Sequence, residues 1–419
     1  MTPAATDLRS RWNFRLGLIC LTAASVSLPM AWISLAKILL FLASLGYLIG
    51  GIVNHRSDKA FCTLWTPRLV LVILAAFAIS LAWTEVDQKF ALEVFVKHGK
   101  LLEIVLIISL IHTSREARLA IAVFAYFQAF VLINSWTLAT GITLPWVTDQ
   151  ADQANTYVVF AESYIDQSIM FAIVAAILWH LREDRLWPRY LAIFLAIMAL
   201  LNVFVLLPGR TGYVVSLVIV TLAVFWGISK NLRLPIIILT PLLLVGSLYF
   251  GSEQAKHRIN KILQESQDYA QHSQTDSSSG WRLNAWHRSL QAIQEKPLIG
   301  HGVGSWTPAV KRFEGASAIM AFGLGNFSNP HQEYLLWGVE LGITGLLLLL
   351  FFLICVVLDA RHFPTGPRRA VLSVLAATAV ACLFNSALFD DLLGDFLCVA
   401  LGLTMALGVR SLNTAKEFS

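Results

Sequence analysis

The sequence predicts an all-α polytopic membrane protein with about twelve transmembrane helices and one large, partly helical loop on the outer face. Three observations carry that prediction. The 419 residues are 57% hydrophobic and only 14% charged, with a mean hydropathy of +0.68, far from the profile of a soluble domain. The apolar stretches are long and lack period-2 alternation, so they read as helices that satisfy their own backbone groups in hydrocarbon, not as barrel strands. Finally, a single long polar stretch, residues 251–332, interrupts them.

Taken in order, the predicted spans are 15–31, 33–53, 69–83, 100–112, 118–140, 166–181, 190–207, 211–229, 234–250, 333–357, 370–389 and 391–410. The division is therefore 1–250 for the first nine helices, 251–332 for the loop, and 333–419 for the last three helices and the tail. Connections 54–68, 113–117, 182–189, 230–233 and 358–369, together with both termini and the adjoining span ends at Arg15, Arg118 and Arg410, carry 18 of the 31 Lys and Arg. The short connections on the other side hold only Lys89, Lys97, Lys100 and Arg210. Positive residues stay inside, so both termini are expected in the cytoplasm and the 251–332 loop outside. The net charge of +5 is then an orientation signal, and no nucleic-acid partner is implied. Arg9, Arg11 and Arg15 before an apolar run resemble a secretory leader. The following run from Trp32 to Val53 and the lack of an A-x-A-like site favour a retained first span.

Within the loop, Glu253 to Tyr269 has Ile259, Ile262 and Leu263 at helical spacing and reads as a helix lying over the membrane surface. After a serine-rich break, a second helix is expected from Trp281 to Gln294, started by a serine cap and stopped before Pro297. Its packed side would be Trp281, Ala285, Leu290 and Ile293. Gly300 to Gly304 lack the strand-to-helix context of a nucleotide loop and read as a turn back toward the membrane.

Three residues stand out as chemistry. Arg282 falls in the expected first turn of the second loop helix, where free N–H groups and the helix dipole favour an anion such as phosphate; the alternative is a surface arginine paired with Asp276. Arg210 sits in Leu207-Pro208-Gly209-Arg210-Thr211 between two apolar spans, where a charge needs a partner or substrate or snorkels to lipid phosphates. His331 follows Pro330 directly before a span. It is suited to take a proton near neutral pH, or is structural. The five cysteines form no C-x-x-C pair, and Asp149 and Asp152 lack further ligands at metal spacing, so no metal is expected.

Gly280-Trp281-Arg282, then Trp286, then Glu295-Lys296-Pro297-Leu298-Ile299-Gly300-His301-Gly302-Val303-Gly304, then Pro330-His331-Gln332-Glu333-Tyr334-Leu335 and Glu340-Leu341-Gly342-Ile343-Thr344-Gly345 together resemble the bacterial O-antigen ligase and polymerase superfamily. The resemblance implies a membrane glycosyltransferase of the bacterial inner membrane, free of metal and cofactor, with a catalytic periplasmic loop. Its donor would be an undecaprenyl-diphosphate-linked glycan and, for a ligase, its acceptor a sugar hydroxyl of lipid A-core. On that model His331 is the general base, and Arg282 and Arg210 grip the diphosphate. Trp281 and Arg288, on the same helix as Arg282, are further candidates for binding substrate. Lys97 and Lys100 would reach the diphosphate or anchor at the interface. Asp390, with Asp391 in the turn before the last span, would orient an arginine or His331, or simply mark the turn.

A ligase is favoured over a polymerase because one outward loop dominates, the other, 141–165, being shorter and free of Lys and Arg. A transporter should show ionisable residues in mid-membrane or broken helices, and Lys37 is the one Lys or Arg clearly inside a predicted span. A non-catalytic scaffold for polysaccharide assembly would leave the loop arginines and His331 dispensable.

Overall fold

The computed structural model describes residues 3–53, 64–147, 155–184, 186–251, 277–313 and 329–417, with scattered positions between 256 and 267. The regular structure of the described residues is all helical, with no strand among them. The helices are α1 (Pro3–Ser25), α2 (Met30–Val53), α3 (Trp65–Ser80), α4 (Gln88–His98), α5 (Leu102–Leu110), α6 (Ser114–Ala139), α7 (Tyr164–His180), α8 (Arg189–Val205), α9 (Arg210–Gly227), α10 (Arg233–Gly251), α11 (Ser278–Glu295), α12 (Trp306–Lys311), α13 (Glu333–Leu341), α14 (Ile343–Ala360), α15 (Thr365–Phe384) and α16 (Asp391–Glu417).

Among the described residues, six stretches are long and apolar enough to cross a membrane: Trp65–Trp83, Ser114–Ala139, Arg210–Gly227, Ile343–Ala360, Thr365–Phe384 and Asp391–Leu412. Phe14–Ser25, Met30–Gly46, Tyr164–His180 and Arg189–Val205 are shorter apolar helices. This is a polytopic all-helical membrane protein. α16 is its axis: the apolar stretch of that helix is wholly buried, packed against α5, α6 and α15. α7 is buried on nearly every face between α8, α9 and α15. Both read as apolar all round, as helices in the middle of a bundle must.

Polar side chains fix the helix ends. Asp359 accepts hydrogen bonds from the N–H groups of Trp65 and Thr66, 2.9 and 2.8 Å, at the start of α3. Thr113 and Glu116 form a capping box at the start of α6. Arg410 donates to the carbonyls of Ile108 and Ile111 beyond the end of α5, where a cation suits the dipole.

Two predicted spans are each built in two pieces. The fourth begins earlier than 100, as α4, and passes through a 3₁₀ turn at Gly99–Leu101 into α5. The span expected at 333–357 breaks at Gly342, where φ is +67°, into α13 and α14. A Cβ at Gly342 would lie 2.6 Å from the Pro297 carbonyl oxygen, so only glycine admits the returning loop. The break leaves carbonyls open to that loop: His301 N–H donates to Val339 O and Gly302 N–H to Glu340 O, both 2.9 Å. Ile343 N–H donates back to Pro297 O at 2.7 Å. The Gly300–Gly304 segment is thus a tight turn wedged between α13 and the start of α4.

The second loop helix runs from Ser278, with Ser277 accepting a hydrogen bond from Gly280 N–H as its cap. Trp281, Ala285, Ser289 and Ala292 are buried along it. Leu290 is 51% exposed, because it lies one residue off the i, i+4, i+8 stripe; Ser289 takes that place and receives Trp306 Nε1–H at 2.9 Å. Cys62, Asp149, Asp152, Asp276 and most of the helix expected at Glu253–Tyr269 lie outside the described residues.

Candidate functional site

The site is organised around residues 384–391, the turn between α15 and α16. Glu333, fully buried in the first turn of α13, accepts hydrogen bonds from Leu388 and Phe389 N–H at 3.0 and 3.2 Å and from Trp337 Nε1–H at 2.8 Å. Gln332 N–H donates to Ser386 Oγ at 3.1 Å. The next residue back, His331, has φ +48°, a left-handed conformation unusual outside glycine. Its N–H donates to Asn329 Oδ1 at 2.9 Å, its Nδ1 meets Asn385 Oδ1 at 2.9 Å, and the Trp281 ring stands edge-on at 5.4 Å. Asn385 Nδ2–H in turn donates to Asp390 Oδ2 at 2.8 Å.

Arg282 donates to the Phe384 carbonyl at 3.3 Å, so it touches the same turn one residue from Asn385. α11 begins at Ser278, which puts Arg282 in the second helical turn and not the first. The unpaired N–H groups of that helix therefore do not form its anion site. Arg210, at the start of α9, donates to Ser279 Oγ at 2.9 Å and lies 3.6 Å from Glu265. Burial and the proximity of Arg210 push the Arg282 guanidinium below its usual range. His331 is pushed down by burial and by Arg282, against a raising hydrogen bond to Asn385. Asp390 is pushed well up, first by burial and then by Asp166 and Glu333. Two arginines, an imidazole and a buried carboxyl thus share one electrostatic neighbourhood.

The lysines are placed differently. Lys100 is 5% exposed and donates to the carbonyls of Phe389 and Asp390 at 3.1 and 2.6 Å. Lys97 pairs with Asp391 at 3.1 Å over the Phe389 ring. Both grip the back of the turn, Lys100 wholly so. Arg288, nearly two turns beyond Arg282, donates to Gln291 Oε1 at 2.9 Å.

Asn385, Glu333 and the pairing of Arg210 with Ser279 escaped the sequence analysis. Glu333 lies inside the quoted motif, but its role depends on a turn fifty-odd positions later. The sequence also gave no warning that Lys37 pairs with Asp395 at 2.7 Å with Glu103 beside them. Counting only Lys and Arg inside the spans overlooked these two carboxylates.

Residues 195–350 match the family model for O-antigen ligase, which takes in Arg210, α11 with Arg282, and His331. Over that stretch, a little over a third of the chain, the protein is similar to the O-antigen ligase family. A stretch of 171 residues is also 28% identical to an uncharacterized protein of Haemophilus influenzae, strain Rd, covering 39% of this chain and 41% of that relative. The chain thus matches about two fifths of that curated relative's length. The matched region supplies both arginines and the histidine, and the turn that Arg282 and His331 touch follows it.

Proposed function

We propose that this protein is an O-antigen ligase, moving a glycan from undecaprenyl diphosphate to a sugar hydroxyl of lipid A-core at the periplasmic face of the inner membrane. The observation that carries the reading is the convergence of Arg282 and His331 on one turn, with Arg210 close enough to Arg282 to depress its basicity. Like charges are held together at a cost, and a substrate diphosphate repays it.

His331 takes the proton from the acceptor hydroxyl as its oxygen attacks the anomeric carbon. The bond from that carbon to the diphosphate oxygen breaks, and the electron pair leaves with the lipid diphosphate. Arg282 and Arg210 neutralise the added negative charge. Attack opposite the leaving group inverts the anomeric configuration. The diphosphate is already an activated leaving group, so the step needs no nucleotide, and the resemblance implies no metal.

Purified protein in vesicles, given undecaprenyl-diphosphate-linked glycan and core-lipid A, should transfer glycan to the core with EDTA present. A deletion strain should make core-only lipopolysaccharide while long chains accumulate on the carrier; core capped by one repeat unit identifies a polymerase instead. A transport reading draws on the Lys37, Asp395 and Glu103 cluster and on the break at Gly342. Glycan crossing the vesicle membrane without transfer would establish it.

A further inference from the structure

We infer that Asn385 is the residue that sets the tautomer and aim of His331, an inference that rests on the base role proposed above. The direction of each hydrogen bond follows from the groups that make it. Ser386 N–H can only donate, and it donates to Asn385 Oδ1 at 3.1 Å. On the other side of the amide, Asn385 Nδ2–H donates to Asp390 Oδ2 at 2.8 Å, whose carbonyl or carboxylate oxygen accepts. Both contacts fix the amide the same way round, with oxygen toward His331. An amide oxygen only accepts, so His331 Nδ1, 2.9 Å away, carries the proton of the neutral ring. The lone pair then belongs to Nε2, the nitrogen that receives the acceptor's proton.

The geometry is held from both ends. Asn385 is 5% exposed and sits in the turn that Glu333 clamps, two residues after His331, while Gln332 N–H holds Ser386 Oγ. The left-handed backbone of His331 and its N–H bond to Asn329 aim the ring at Asn385.

The interposed amide also matters electrically. A carboxylate against Nδ1 would favour the imidazolium strongly. Asn385 offers an acceptor without charge and keeps Asp390 one residue removed. The other groups facing the ring are Arg282 on α11, which opposes protonation, the Trp281 ring on the same helix, and Glu333 on α13, already committed to two backbone N–H groups and Trp337. The arrangement keeps a base neutral and correctly protonated beside the Arg282 guanidinium.

The test is transfer kinetics against pH, with protein in vesicles, undecaprenyl-diphosphate-linked glycan as donor and core-lipid A as acceptor. Asn385→Leu keeps the shape and removes the acceptor. It should lower kcat at least tenfold, with the roughly 10⁴-fold loss for a wrong tautomer in a Ser-His-Asp triad as a ceiling, and leave the donor KM unchanged. The paired exchange Asn385→Asp with Asp390→Asn moves the carboxyl group against the ring and keeps the 385–390 hydrogen bond with its direction reversed. It should retain activity with the acid limb of kcat/KM moved up by about one pH unit or more. Wild-type rates in Asn385→Leu, or an unmoved acid limb in the exchange, overturn the inference, and the exchange decides alone if the leucine variant does not fold. His331→Ala separates the two claims: activity in that variant removes the base role itself, whereas its loss beside an unaffected Asn385→Leu removes only the positioning role.

Discussion

Lys37 on α2 and Asp395 on α16 are joined at 2.7 Å, with the Lys37 side chain 33% and the Asp395 side chain 1% exposed. The pair ties a peripheral helix to the buried axis of the bundle, and Glu103 on α5 lies within its field. Removing one partner strands a charge in a place without water. Lys37→Met should therefore destabilise by about 2 kcal/mol, somewhat below the loss for a wholly buried pair because the lysine is partly exposed. Lys37→Met with Asp395→Leu should recover most of that, since apolar replacement of a buried pair is commonly neutral or better. Thermal unfolding in detergent reads both. A double variant as unstable as the sum of the single ones would show that the pair has another task.

On the proposed mechanism Arg282 and Arg210 meet the donor diphosphate, Arg210 beside its own partner Glu265, so their loss should appear chiefly in transfer. Alanine at either position should lower kcat by about 10²–10³-fold, the usual cost of one electrostatic contact to developing charge. Lysine should restore part of this, because it keeps the charge and loses the bidentate fork. Unfolding temperature should fall little in Arg282→Ala, whose described contact is one carbonyl. It should fall more in Arg210→Ala, which uncouples Ser279 and Glu265. Near-normal transfer by both alanine variants would remove the arginines from the mechanism.

The class of fold was legible because hydrophobicity over twenty residues is a local property, and so was α11, whose serine cap and Pro297 stop lie within the helix's own neighbourhood. Arg282, Arg210 and His331 were legible as candidates through motif resemblance. What stayed hidden depends on chain segments meeting. Nothing local to Asn385 shows that His331 lies against it. Nothing within 333–357 shows that Gly342 must yield to Pro297. Lys100 resembled a substrate residue because its sequence neighbourhood does not show the carbonyls of Phe389 and Asp390 that occupy it.

Glu85, just before α4, is the anchor for the returning loop. It accepts from Lys296 at 2.7 Å, meets His301 Nδ1 at 2.9 Å and binds Arg312. Burial pushes its carboxyl up, but the hydrogen bonds from His301, Lys296 and Arg312 outweigh this and hold it at about 2, below an ordinary 4.5. A depressed carboxyl contributes stability that is present above 4.5 and lost as pH falls toward 2. Wild-type protein should thus lose stability between those values faster than Glu85→Gln, and the variant should be the less stable of the two at pH 7. Protease should cut the variant sooner within 296–313. Parallel pH profiles for the two proteins would show that Glu85 is not the latch.

Orientation decides whether the site meets periplasmic substrates at all. Ser278 begins α11 on the side of Arg282 and His331, whereas His362 is exposed in the connection between α14 and α15, at the opposite end of the helices that lead to the 384–391 turn. The excess of Lys and Arg on the connections at the His362 end predicts that this end faces the cytoplasm. Ser278→Cys and His362→Cys, each in a background without Cys20, Cys62, Cys355, Cys382 and Cys398, should therefore label oppositely with a membrane-impermeant thiol reagent. In intact spheroplasts position 278 should react and position 362 should react only after permeabilisation. The reverse pattern would put Arg282 and His331 in the cytoplasm, away from any periplasmic donor, and the ligase reading would fall with the orientation.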